Sequence, residues 1–253
     1  MKLLVRIVMM GYVLFITSLV YGQNVLEIMD KVRSQYRPES VHALVVVSVL
    51  DRSITYSYTV ELYLAKGSDD RAKVLLVFHK PASVRNIRFL SIERKNGKTD
   101  QWIYLPATRS IRRIVAEKKN DSFMGTDYAF SDFDRESNEQ YKYKILREEH
   151  IEDSDTWVLE GVPPSERTFD KNVLWIDKKF FFPIRIEFYD KGKLKKVYET
   201  KELNRSQSNT YPTKSVMTSK QKKHQTKISI PKIEFNIKIP DKYFTLGYLK
   251  LRK

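Results

Sequence analysis

Between Ile54 and Leu64 every second side chain is apolar. Ile54, Tyr56, Tyr58, Val60, Leu62 and Leu64 fall on one side, while Thr55, Ser57, Thr59 and Glu61 fall on the other. A helix, with 3.6 residues per turn, cannot gather such a series on one face; a strand, with its period of two, does so automatically. Strand-like segments begin at Val41 and recur at 73–79, 86–93, 101–105, 110–115, 140–147, 156–162, 172–177, 184–190, 194–202, 214–219 and 227–239. Turn-forming residues separate them, among them 66–70, Asn96-Gly97, Pro163-Pro164 and 190–192. About a dozen strands at this spacing predict a mainly β chain built as a strongly curved antiparallel sheet or barrel.

Helical signals are few. Asn24–Tyr36 places Val25, Ile28, Met29, Val32 and Tyr36 on one stripe, with Asn24 as cap, Glu27 as its reciprocal partner, and Pro38 ending the pattern. A helix with one apolar face must cover something. A short last helix is expected at Asp241–Leu249, after Pro240. Ser206–Thr226 is polar and lysine-rich like a linker, yet Thr210–Ser219 alternates as a strand. One domain over residues 23–253 is therefore expected.

Lys2 and Arg6 precede an apolar run, Ile7–Val20, which leads into Tyr21-Gly22-Gln23. This order reads as an export signal over residues 1–22, too short for the ~20 residues of a spanning helix. The chain has no cysteine, so an exported form folds without disulfides and cannot be lipidated on cysteine. A formal charge of +15 suggests an anionic partner or surface. Nucleic acid is disfavoured by the export signal. The four histidines lack metal-ligand spacing, Asp121, Asp127, Asp132 and Asp134 do not match a calcium loop, and no nucleophile or phosphate-loop motif occurs. The expectation is a non-enzyme without metal or cofactor.

The stretch from Trp102 to Phe133 is the most informative. Two strands, ending at Pro106 and near Val115, make a hairpin; the loop that follows holds Phe123, Met124, Tyr128, Phe130 and Phe133 among its aspartates. A solvated loop has no use for five large apolar groups, so it packs back on the body as a plug or closes over a ligand as a lid. Trp102 and Tyr104 share a strand face and are placed towards the concavity, either as ligand contacts or as filling against the N-terminal helix. Arg112 and Arg113 must face opposite sides, and one is expected near a polar headgroup or an acidic loop residue such as Asp127. Lys220–His224 is a solvated turn or a contact for anionic lipid at a membrane surface.

An ordered series of motifs carries a resemblance. Phe78-His-Lys-Pro81, Arg88-Phe-Leu90, Trp102-Ile-Tyr-Leu-Pro106, Ile111-Arg-Arg-Ile114 and Ser122–Tyr128 are followed by Tyr211–Lys214, Val216–Thr218, Lys222–Thr226 and Phe244–Leu249. In this order they resemble the outer-membrane lipoprotein-sorting family, in its larger LolA-like branch, from about Phe78 to Leu251. The resemblance implies an unclosed antiparallel β-barrel (half-barrel) with a few covering helices and an apolar concave side. It further implies a monomeric periplasmic carrier that shields lipoprotein acyl chains. Such a carrier takes its cargo from an inner-membrane transporter and passes it to an outer-membrane acceptor. A carrier of other lipids or glycolipids, working with an inner-membrane exporter, and a periplasmic lipid-sensing module are the alternatives on the same architecture. The expected lipid-binding residues are Phe89, Trp102, Tyr104, Phe123, Met124, Arg112 and Arg113.

Overall fold

The alternation at 54–64 becomes a strand of 13 residues, one of thirteen that form a single antiparallel sheet in the computed structural model. The structure describes residues 20–35, 38–67, 69, 71–134, 141–163, 168–206 and 209–251. In chain order the strands are β1 (Ser40–Asp51), β2 (Ile54–Lys66), β3 (Ala72–Lys80), β4 (Arg88–Glu93), β5 (Thr99–Leu105), β6 (Ser110–Arg113) and β7 (Lys142–Ile151). They continue as β8 (Ser154–Val162), β9 (Lys171–Asp177), β10 (Phe182–Asp190), β11 (Lys193–Ser206), β12 (Asn209–Ser219) and β13 (His224–Phe235). Helix α1 (Val20–Ser34) precedes them, and a short 3-10 turn at Asp241–Phe244 leads into α2 (Leu246–Leu249).

The strand order is β6-β5-β4-β3-β2-β1-β13-β12-β11-β10-β9-β8-β7. The chain thus winds outward from β1 to one edge, crosses to the opposite edge, and returns to pair β13 with β1. Edges β6 and β7 do not pair, so the sheet stays unclosed. One consequence places the site: the connection from β6 to β7 joins opposite edges and must traverse a face of the sheet. It is the apolar loop singled out above.

Cross-strand partners share a face, which lets the two faces be traced. On the inner face, Ile103, Phe89, Leu76, Leu62 and Ala43 lie in successive register across β5 to β1. Val49, Thr226, Met217, Tyr198, Ile186, Leu174 and Leu159 carry the same face on through β13 to β8. The loop after β6 covers the first half, with Phe123 packed among Val41, Val60, Phe78 and Phe89. Helix α1 covers the far part, setting Val25, Ile28 and Met29 on Leu159, Leu174 and Ile176. The outer face over β3–β5 is covered by the C-terminal segment, where Phe244, Tyr248 and Leu249 pack on Leu75, Val77, Leu90 and Tyr104.

One sequence expectation changes. Helix α1 begins at Val20, so Asn24 lies inside it and is not its cap; the apolar stripe packs as expected, and Tyr36 lies outside the described residues. Residues 1–19 of the predicted leader also lie outside them, and Val20–Gly22 form the first turn of α1. The polar composition of 206–226 falls on β12, where the alternation from Thr210 to Ser219 places a strand, and on the start of β13; β12 pairs with β11 from Lys196↔Ser219 to Ser206↔Asn209. Their outward rows are polar because they face water, and composition alone cannot separate that from a linker.

Candidate functional site

The loop between β6 and β7 is an ordered plug. Ser122 and Ala129 form an isolated antiparallel bridge, closed by the amide of Phe123 on the carbonyl of Tyr128 at 2.7 Å. The turn inside it runs through Met124 (φ 52°) and Gly125 (φ 74°). A Cβ at Gly125 would stand 2.8 Å from the Tyr56 hydroxyl, so both the backbone and the close approach require glycine. Phe123, 6% exposed, sits in a cluster of rings, with centroids 4.7 Å from Phe133, 5.1 Å from Phe89, 5.2 Å from Phe130 and 6.2 Å from Phe78.

Polar ties hold the plug around this cluster. The hydroxyls of Tyr56 and Tyr58 donate to the carbonyls of Gly125 (3.0 Å) and Met124 (3.1 Å). Lys119 pairs with Asp134 at 2.7 Å, and Gln101 donates to the Phe130 carbonyl at 2.9 Å. Asp127 is buried; its carboxylate accepts from the Thr226 hydroxyl (2.7 Å) and meets His224 Nδ1 (2.9 Å). Burial pushes the Tyr128 phenol upward, with the nearby Tyr198 adding to it. Desolvation against the plug also raises the Asp132 carboxyl, although the residue as a whole is exposed and the carboxyl accepts a hydrogen bond from the Ala129 amide.

On its other side the plug bounds a cavity of about 1180 Å³. The opposing walls are β11, the ends of β10 and β12, the start of β13, and Phe169; the rim is made by the turns at 51–53 and 221–223. The cavity is half polar in character, with lysines 195, 196, 222 and 223 and Arg52 reaching it.

The seven predicted site residues are divided by the sheet. Phe89 and Phe123 meet on the inner face, with Met124 packed against their cluster, and Arg112 lies opposite Ile103 on that same face at edge strand β6. Trp102 and Tyr104 do not face the concavity. Register sets Trp102 opposite Leu90 and Tyr104 opposite Arg88, on the outer face, beneath the C-terminal segment and not beneath α1. Arg113 shares that outer face and is paired with Asp100 at 2.5 Å, while Arg94 lies over the Trp102 ring. Asp127 meets Thr226 and His224, not an arginine of the hairpin. None of the seven lines the large cavity. The residues missed are Tyr56, Tyr58, Lys196, His224 and Thr226, since only long-range pairing brings them to the plug. The two tyrosines had a signal, lying on the apolar side of β2 with hydroxyls that needed partners.

The histidines, scattered in sequence, are also gathered by register: His42 and His79 both meet Glu61 on the outer face, at 2.8 and 3.0 Å. Among the described residues no group of three or more acidic or histidine side chains has a geometry that could hold a metal ion.

A family model, described only as an uncharacterized protein, matches residues 70–251. A solved structure described as an outer membrane lipoprotein-sorting protein domain, from Vibrio parahaemolyticus, is 26% identical. The match covers 89% of this chain and 98% of that one, with a TM-score of 0.83. The chain belongs to the LolA-like, lipoprotein-sorting family. Two further likenesses show the fold of this LolA-like chain. A DUF1329 family protein from Desulfovibrio piger is 23% identical over 88% of this chain and 96% of its own, with a TM-score of 0.83. A LolA superfamily protein from Nitrosomonas europaea is 22% identical over 88% and 98%, with a TM-score of 0.70. No curated protein matches the sequence.

Proposed function

We propose that this protein is a periplasmic carrier that shields the acyl chains of a lipoprotein on its inner face between the inner and outer membranes. The observation that carries the reading is how that face is covered. Its apolar rows are closed not by a second sheet but by the plug, whose rings rest on Phe78 and Phe89 and whose backbone is tied by a few side-chain hydrogen bonds. Phe123, Phe130 and Phe133 occupy the place acyl chains would take.

The magnitudes allow exchange. Moving one buried and two partly buried rings into water costs roughly 5–9 kcal/mol at ~1.5–3 kcal/mol per ring. An acyl chain of about a dozen methylenes returns ~10 kcal/mol at ~0.8 kcal/mol each. Near balance is what a carrier needs, since it must also release its cargo. The reading requires no chemical step. Loading draws on a donor transporter in the inner membrane, and delivery on an outer-membrane acceptor.

Native mass spectrometry of the protein purified gently from its own periplasm tests this. Co-purified acylated protein or peptide is the expected result. Phospholipid or glycolipid alone would instead make it a carrier of other lipids, and an empty protein with no affinity for added acyl chains would remove the carrier function.

A further inference from the structure

The cavity beside the plug has a charge pattern for which a hydrocarbon chain has no use. Two turns form its rim, the one at 51–53 between β1 and β2 and the one at 220–223 between β12 and β13. They are clamped together, the Arg52 amide donating to the Lys223 carbonyl at 2.8 Å, with Arg52 itself in the left-handed region at φ 54°. Lys195 and Lys196 face them from β11.

Three acids line the same space, and two of them are engaged. Asp127 is buried and taken up by Thr226 and His224. Asp190 pairs with Lys195 at 3.3 Å. The third, Asp51, is exposed on the same turn as Arg52. Lys196 donates to the carbonyl of Asp127 at 2.5 Å and stands near the Asp132 carboxyl. Arg52, Lys222 and Lys223 are exposed, and among the described residues none of the three forms an ion pair. The cavity therefore presents three cations without an ion-pair partner on one rim, with the single Asp51 carboxylate beside them, above a chamber larger than the ~300–1,000 Å³ that encloses a typical small ligand. A guanidinium fork beside two ammonium groups matches the several oxygens of a phosphate group. The chamber opens against the plug, whose opposite side carries the ring cluster.

We infer that this cavity binds the phosphate-bearing headgroup of an amphiphile whose acyl chain lies on the inner face under the plug. The inference rests on the acyl-binding part of the reading above and commits the cargo's polar end to a phosphate, which the thioether-linked diacylglyceryl anchor of a lipoprotein lacks. A positive result therefore favours a phospholipid-type cargo over a lipoprotein.

The test uses two amphiphiles of equal chain length, dodecyl phosphate and the uncharged 1-monolaurin, titrated below their micellar concentrations by calorimetry. Inorganic phosphate serves as competitor. The variant is Arg52→Asn with Lys222→Gln and Lys223→Gln, all exposed positions, Asn being chosen because it tolerates the left-handed backbone. The unchanged protein should prefer dodecyl phosphate by about tenfold at low salt, and the preference should shrink as salt rises. The variant should lose that preference and keep its affinity for monolaurin and its melting temperature. Competition by inorganic phosphate that depends on the same three residues supports the site and makes free phosphate a ligand in its own right. Binding of inorganic phosphate without either amphiphile overturns the acyl-chain reading and leaves an anion site. Equal affinity for the two amphiphiles, or a preference that survives in the variant, overturns the headgroup site and leaves the acyl reading standing. Binding only to vesicles of anionic phospholipid, with no uptake of the single amphiphile, replaces it with docking at a membrane surface.

Discussion

Thr226 on β13 holds Asp127 of the plug twice: its hydroxyl accepts the Asp127 amide at 2.8 Å and donates to the Asp127 carboxylate at 2.7 Å. Both residues are buried, so the pair latches the plug to a strand some hundred residues further along the chain. Thr226→Val keeps the shape of the side chain and removes both bonds, leaving a desolvated amide unpartnered and the carboxylate held by His224 alone. The expected cost is about 1–3 kcal/mol, and hydrogen exchange should quicken at 119–134 well before the strands. A cysteine pair, Asp127→Cys with Thr226→Cys, made in a chain with no other cysteine, should close the latch when oxidised and slow acyl uptake.

Phe123 and Met124 separate the two roles a plug residue can have. Phe123 is surrounded by four rings, and Phe123→Ala should cost about 3–5 kcal/mol in urea denaturation. Met124 is only half-buried at the turn, and Met124→Ala should cost roughly 1–2 kcal/mol. Equal losses would mean that the cluster is not the plug's anchor.

Arg88, buried on the outer face, donates through one nitrogen to the carbonyls of Tyr248 (2.8 Å) and Leu249 (3.0 Å). Arg88→Met should release the C-terminal segment, lower stability by about 2–4 kcal/mol, and expose residues 241–251 to limited proteolysis. An uncut tail in that variant would show that apolar packing alone retains it.

Asp132 and Asp100 should respond to pH with opposite signs. Desolvation raises the Asp132 carboxyl, so the folded state prefers it protonated, and stability falls as pH rises above its unfolded value of roughly 4, by an amount that solvent screening keeps small because the residue is exposed. Asp132→Asn keeps an oxygen for the Ala129 amide and should raise the melting temperature at pH 7 slightly, since the residue is exposed.

For Asp100, burial pushes the carboxyl up, but hydrogen bonds from Arg113 and Arg94 outweigh it and hold the carboxyl below its ordinary value. Its contribution is present above roughly pH 4 and is lost as pH falls through the lower folded value. Glu61, where burial is outweighed by hydrogen bonds from His42, Tyr63 and His79, has the same sign. Asp100→Asn should therefore cost little at pH 7, since the pair is partly exposed, and should flatten the acid side of a stability profile measured down to about pH 3.

Local alternation was legible wherever one face is wet: β2 reads off its own residues, and so does the stripe of α1 on Leu159 and Leu174. The plug announced itself as an apolar loop, because five large side chains cannot be left in water. Trp102 and Tyr104 show where such reading stops. Alternation says that they share a face, and it cannot say which face is inner, because a strand buried on both sides carries apolar residues in both rows. Pairing with Leu90 and Arg88 placed them outside.

By itself the sequence determined what depends on near neighbours: strands from the period of two, turns from glycine and proline, and family from motifs in order. The tertiary structure alone decided what depends on closure across the sheet. Once β13 pairs with β1 and leaves β6 and β7 at opposite edges, the chain must cross the inner face. That crossing, not any local preference, lays Phe123 on Phe89, sets Asp127 against Thr226, and brings Arg52 and Lys223 to the rim of one cavity.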